Sequence, residues 1–164
     1  MSLGGTTVEG MPKVPPPVYV AVGLAAQHLL ARGRRPTVVR SVAAGLLAAG
    51  SVCVAGGAAR AFKHKDTTFN PLEPEGATAV VTDGPFRYTR NPMYVGMAGL
   101  LTAHAALRGG WLPLVPVAAF VAVIDRTQIP AEERALSWSF GDAYDSYRSA
   151  TPRWLGPVRG VPRG

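Results

Sequence analysis

Charge is scarce in this 164-residue chain, where charged residues make up 16% and hydrophobic residues 48%. Soluble domains average about 25% charged residues, so a wholly solvated surface is not the first reading. Cysteine is nearly absent. Cys53 stands alone inside an apolar run, which excludes an internal disulfide framework and a Cys-rich metal site. A buried free thiol is expected there. Aromatics are few, at 8%, which argues against long spans throughout. GxSxG, HExxH, a P-loop and a GxGxxG after a strand are all missing, so hydrolase, zincin and Rossmann readings have no support. His28, His64 and His104 form no pair at metal spacing. MSLGGTTVEGMPKV lacks a basic stretch running directly into a short apolar core, so it does not read as a signal peptide.

What is present is Ala, Val, Leu and Gly, with 19 glycines and 15 prolines. That is the palette of transmembrane helices that pack through small residues. The length suits one domain and one core, expected over 15–156 between flexible tails at 1–14 and 157–164. The net charge of +7 points to nucleic acid or to an anionic membrane surface. No basic strip is interleaved with aromatics, so membrane lipids are the expected partner and nucleic acid is not.

Four apolar segments follow one another: about Val18 to Ala31, Val38 to Phe62, Pro92 to Leu107, and Trp111 to Ile124. The first, third and fourth are short for a span of roughly 20 residues unless flanking Arg, Trp or Tyr sits at the interface. If all four cross, 12 of the 17 Lys and Arg share the side holding the N-terminus, residues 60–92 and the C-terminal region. The other side holds Arg32, Arg34, Arg35, Arg40 and Arg108. The positive-inside tendency makes the richer side cytoplasmic, with both termini. The cluster RGRR at 32–35 runs against this, and a re-entrant pair is the alternative for the first two segments. All ten acids lie on the proposed cytoplasmic side. The expected architecture is all-α, an integral membrane bundle of about four transmembrane helices with a cytoplasmic loop and a C-terminal helical cap.

The polar end has two parts. Residues 63–92 form a long loop with a short β-like run, ATAVVT, before the DGP turn. Residues 129–156 read as a helix starting near Pro130, a break at Gly141, and a second short helix with Tyr144 and Tyr147 on one face. Asn91-Pro92 has the look of a helix cap followed by a first-turn proline. Arg87, Tyr88, Arg90 and Tyr94 crowd the same end, as interface anchors or as an anion site at a helix N-terminus. Glu132 and Glu133 suit a helix N-terminus electrostatically. Asp125 and Arg126 are expected to pair at the end of the fourth segment. His28 and His104 are expected as packed or bundle-facing residues.

The blocks TTFNP (67–71), VTDGPFRYTRNPMYVG (81–96), PAEERAL (130–136), FGDAYDSY (140–147) and PRW (152–154) occur in one order. In that order and spacing the chain resembles the isoprenylcysteine carboxyl methyltransferase and phospholipid methyltransferase group, small integral membrane enzymes using S-adenosylmethionine. The resemblance implies that Arg90, Asn91, Pro92, Tyr94 and Gly96 match the family's Arg-His-Pro-x-Tyr-x-Gly block at the cofactor site. Arg90, Asn91 and Tyr94 are then the candidate catalytic residues. It implies cofactor binding for Glu132 and Glu133, and places Tyr144, Tyr147 and Arg153 in the C-terminal block of the same site. Many members carry His where this chain has Asn91, so an imidazole role does not carry over. The implied acceptor is lipophilic, isoprenylcysteine carboxylate-like, with an amino lipid or a small thiol as alternatives. A non-catalytic membrane binding or assembly protein is the reading from another class.

Overall fold

The computed structural model describes residues 14–31, 35–64 and 80–157. TTFNP and the first half of ATAVVT lie outside them. The described residues are helical, without a strand. Helix α1 spans Pro16–Leu30, α2 Val38–His64, α3 Pro92–Arg108, α4 Leu114–Val123, α5 Ile129–Phe140 and α6 Asp142–Ala150. Residues 80–82, the end of the β-like run, form no strand and lead into a single 3-10 turn at Gly84–Arg87.

The fourth apolar segment does not stop at Ile124, and no new helix begins at Pro130. A π-turn over Ile124–Gln128 joins α4 to α5 without a break. The cause is Pro130, which has no N–H to give and whose ring would strike the carbonyl four residues back. Widening the preceding turn relieves both problems, and the Ile129 N–H bonds to Ile124 O, five residues back. Glu132 and Glu133 therefore sit inside a long helix and not at a helix start.

Two helical stretches, Val38–Lys63 and Leu114–Phe140, are long and apolar enough to cross a membrane. Only 11% of the apolar window in the first is buried within the protein. Val38, Val42, Leu46, Leu47 and Val52 all face outward, leaving an apolar surface that lipid can cover. Cys53 shares that outward surface, so the thiol is exposed and not buried as expected. Packing reversed the expectation because the helix turns its small residues inward. A Cβ added at Gly96 would lie 2.9 Å from Ala55 Cβ and 3.0 Å from Ser51 O, and one at Gly99 would overlap the Ser51 hydroxyl. Backbones that close require glycine.

The larger core gathers Tyr94, Leu101, Phe120, Ile124 and Ile129, flanked by α1 side chains such as Tyr19 and Leu24. Gln27 is fully buried beside it. Its amide donates to Leu101 O (3.0 Å) and Pro113 O (2.8 Å), which ties α1 to α3 and to the start of α4. A smaller cluster of Ala58, Val81 and Phe86 closes the polar end, with Phe62 and Phe86 meeting edge to face at 5.1 Å.

Candidate active site

The site forms where three pieces of chain converge: the turn before α3, the middle of α4–α5, and α6 with the segment after it. Thr89 Oγ1 donates to Arg153 O (3.0 Å) and accepts the Asn91 N–H (3.1 Å). Arg90 N donates to Pro152 O (2.9 Å), and Asn91 Nδ2 donates to Arg153 O (3.0 Å). Asn91 occupies the position before α3, but its side chain makes no capping bond. It fastens the C-terminal segment instead.

The four groups crowding that turn divide by direction. Arg87 and Tyr88 are exposed, whereas Tyr94 is buried and the Arg90 side chain is 10% exposed. Exposed Arg87 makes a loose pair with Asp83 at 3.9 Å.

The adjacent glutamates have different partners, as neighbours about 100° apart on a helix must. Glu133 lies between two guanidinium groups. Arg153 reaches both its oxygens, through Nε to Oε1 (3.1 Å) and Nη2 to Oε2 (2.7 Å). Arg90 Nη1 lies 2.9 Å from Oε1, an ion pair whose angle falls outside a hydrogen bond. Glu132 accepts from the Tyr94 hydroxyl and from Gln128 Nε2 (2.9 Å), both at Oε1. Among the described residues no donor reaches its Oε2. The hydrogen bond to Glu133 is the main reason the Arg153 guanidinium is held above its ordinary range.

Asp125 does not pair with Arg126. It accepts from Trp154 Nε1 (2.9 Å) and Arg153 Nη1 (3.3 Å), because the π-turn directs it toward the C-terminal segment. Tyr144 and Tyr147 do share a face, with ring centroids 6.2 Å apart, and the Tyr147 hydroxyl donates to Phe86 O (2.7 Å). Burial, reinforced by the charge of Glu133, pushes the Tyr144 phenol up to about 12. Burial also raises Tyr147. Both are proton donors at neutral pH, not bases.

These groups wall a cleft between the turn, α3, α5 and α6. Arg90, Asn91, Pro92, Tyr94, Glu132, Glu133, Tyr144 and Tyr147 line it, with Phe62, Phe86 and Leu136 among its apolar walls. Of the expected site residues, two stand outside the lining. Gly96 packs on α2, and Arg153 stands behind Glu133. Gln128, Thr89 and Trp154 escaped the sequence reading. The spacing of Gln128 and Glu132, four apart on a helix, was the available signal for the first. Among the described residues no group of His, Cys, Asp and Glu could hold a metal ion.

Residues 39–143, more than half of the chain, match the family model for Phospholipid methyltransferase. The chain belongs to that family. An uncharacterized protein of Haemophilus influenzae is 36% identical over 63 residues, which is 38% of this chain and the whole of that protein. No solved structure matches. Family membership brings the helices that can cross a membrane and the polar cleft at their end under one heading, that of a methyltransferase family.

Proposed function

We propose that this family member is a membrane methyltransferase that takes its methyl group from S-adenosylmethionine and delivers it to a lipophilic acceptor. When bound, that cofactor supplies a methyl group on a sulfonium centre, activated for in-line displacement. The observation that carries the reading is Arg90, a guanidinium 10% exposed at the cleft wall, whose Nη1 is paired with Glu133 while its Nε has no hydrogen-bond partner among the described residues. A buried donor left unmet is costly, so such a group fits the carboxylate of an amino-acid end. Glu132 Oε2 stands ready to accept from an ammonium or ribose hydroxyls. The aromatic rings of Tyr144 and Phe86 offer faces to a flat base or a sulfonium.

Tyr94 and Gln128 hold Glu132 still, and Arg153 holds Glu133, so the cleft is ordered in advance. Loss of charge in the displacement favours a site shielded from water, and the apolar walls supply it. A carboxylate acceptor, isoprenylcysteine-like, needs no general base. An amino lipid or a small thiol would have to shed a proton. In this reading four helices cross the bilayer, with the cleft and both termini on the cytoplasmic side.

Calorimetric titration of the folded protein in detergent with S-adenosylmethionine tests the cofactor. Saturable binding is expected, and none at millimolar concentration would overturn it in favour of a non-catalytic membrane protein. Transfer of a labelled methyl group to a lipid extract, followed by identification of the labelled species, names the acceptor class.

A further inference from the structure

The end of the bundle away from the cleft carries cations with no acid among them. The sequence has no Asp or Glu between residues 10 and 65, nor between 84 and 124. Arg35, Arg40 and Arg108 lie at this end, and none of them forms an ion pair among the described residues.

Arg108 is nonetheless held in place. Its Nε donates to His104 Nε2 (3.2 Å), and its Nη2 lies 2.6 Å from His28 Nδ1. His104 Nδ1 lies 2.8 Å from Gln27 Oε1, and the Gln27 amide is already spent on Leu101 O and Pro113 O. Gln27 can therefore only accept from His104, which fixes the proton on Nδ1 and leaves Nε2 as the acceptor for arginine. The chain of bonds runs from a buried glutamine to a guanidinium through neutral groups. It orients the charge without neutralising it.

Arg40 arrives from α2 and lays its guanidinium over Gly109, the residue after Arg108. A Cβ at Gly109 would collide with Arg40 Nη1, and its φ of +70° suits glycine. The α3 C-terminus offers these cations roughly half a negative charge, against two full positive ones. Trp111, 71% exposed beside them, is the residue type found at headgroup depth.

We propose that the Arg40–Arg108 end is a binding site for the phosphate of an anionic phospholipid in the leaflet opposite the cleft. This rests on the membrane-spanning reading but not on the chemistry of the cleft. Two guanidinium groups provide planar, paired donors for phosphate oxygens. A bound headgroup would also tie together the ends of α1, α2 and α3.

Native mass spectrometry of the full chain released from detergent, with phosphatidylglycerol or phosphatidylcholine added, tests the site. Phosphatidylglycerol is expected to bind preferentially. Arg40→Gln or Arg108→Gln should each weaken it roughly fivefold, and the double variant about 25-fold. Arg148→Gln, at the cleft end, should leave it unchanged. Arg40→Lys with Arg108→Lys keeps the charge but removes the paired donors, so it should weaken binding by about threefold, and unchanged binding in this pair would overturn the proposal if the glutamine variants do not fold. Equal binding of the two lipids would overturn the proposal, as would an Arg148→Gln loss matching that of the double variant. Full displacement of the lipid by inorganic phosphate would also overturn it, making the ligand a free anion.

Discussion

Glu133 and Arg153 are joined by two bonds, from Nε and Nη2 to separate carboxylate oxygens at 3.1 and 2.7 Å. The pairing spans 20 residues and locks the segment after α6 onto α5. The same carboxylate faces Arg90, so Glu133 is shared by two cations beside the cleft, with Asp125 a second partner for Arg153.

Glu133→Gln should leave both guanidinium groups without their main partner. Arg153 is a third exposed, which tempers the loss. The expected cost is about 2–4 kcal/mol of stability, read from unfolding in detergent. Arg87→Gln, which loses only the exposed 3.9 Å pair with Asp83, should change stability by less than about 0.5 kcal/mol. Similar effects from both would mean that the buried ion pair contributes little.

Arg90→Ala should weaken S-adenosylmethionine binding by about 10- to 100-fold, the range for a hydrogen bond to a charged group. Calorimetry reads it directly. Glu133→Gln should also weaken binding, whereas Arg34→Ala, on the opposite side by sequence, should not. Equal and small effects from all three would misplace the site.

Gly99→Leu should force α2 and α3 apart, because its Cβ position is taken by Ser51. Overpacking of this kind costs about 1–3 kcal/mol. Gly45→Leu on the outward face of α2 meets nothing within 4 Å and should be neutral or slightly stabilising. Thermal unfolding of the two variants side by side tests the packing of the α2–α3 pair.

Tyr144 gives a pH dependence with a definite sign. Its folded-state phenol titrates near 12, above the ordinary 10.0, so its contribution to stability is complete below pH 10. That contribution is lost as the pH rises from 10 to 12, where the unfolded chain ionises first. Stability measured across this window should fall less steeply in Tyr144→Phe. Identical slopes would place the loss elsewhere.

Much of the cleft was legible in the sequence because its residues carry unusual chemistry at fixed spacing. Arg90, Tyr94 and the two glutamates announce themselves among apolar neighbours, and the break at Gly141 follows from its backbone, with φ at +50°. The join of α4 and α5 was not legible. A proline followed by acids has the same look whether it opens a helix or sits behind a π-turn, and one extra residue in a turn leaves no mark on composition. The partners of Asp125 were hidden for the same reason. Cys53 was misjudged because burial in a lipid-facing helix follows small residues, not apolar ones.

That one extra residue also works as a phase adjustment in a single rod. Each residue turns an α-helix by about 100°, so winding Ile124–Gln128 as regular α-helix would swing everything downstream by roughly that angle. Glu132 would leave Tyr94, and Glu133 would leave both arginines, with the apolar content of α4 untouched. The bearing of two carboxylates on the cleft is thus set one turn upstream, by the winding of the helix itself.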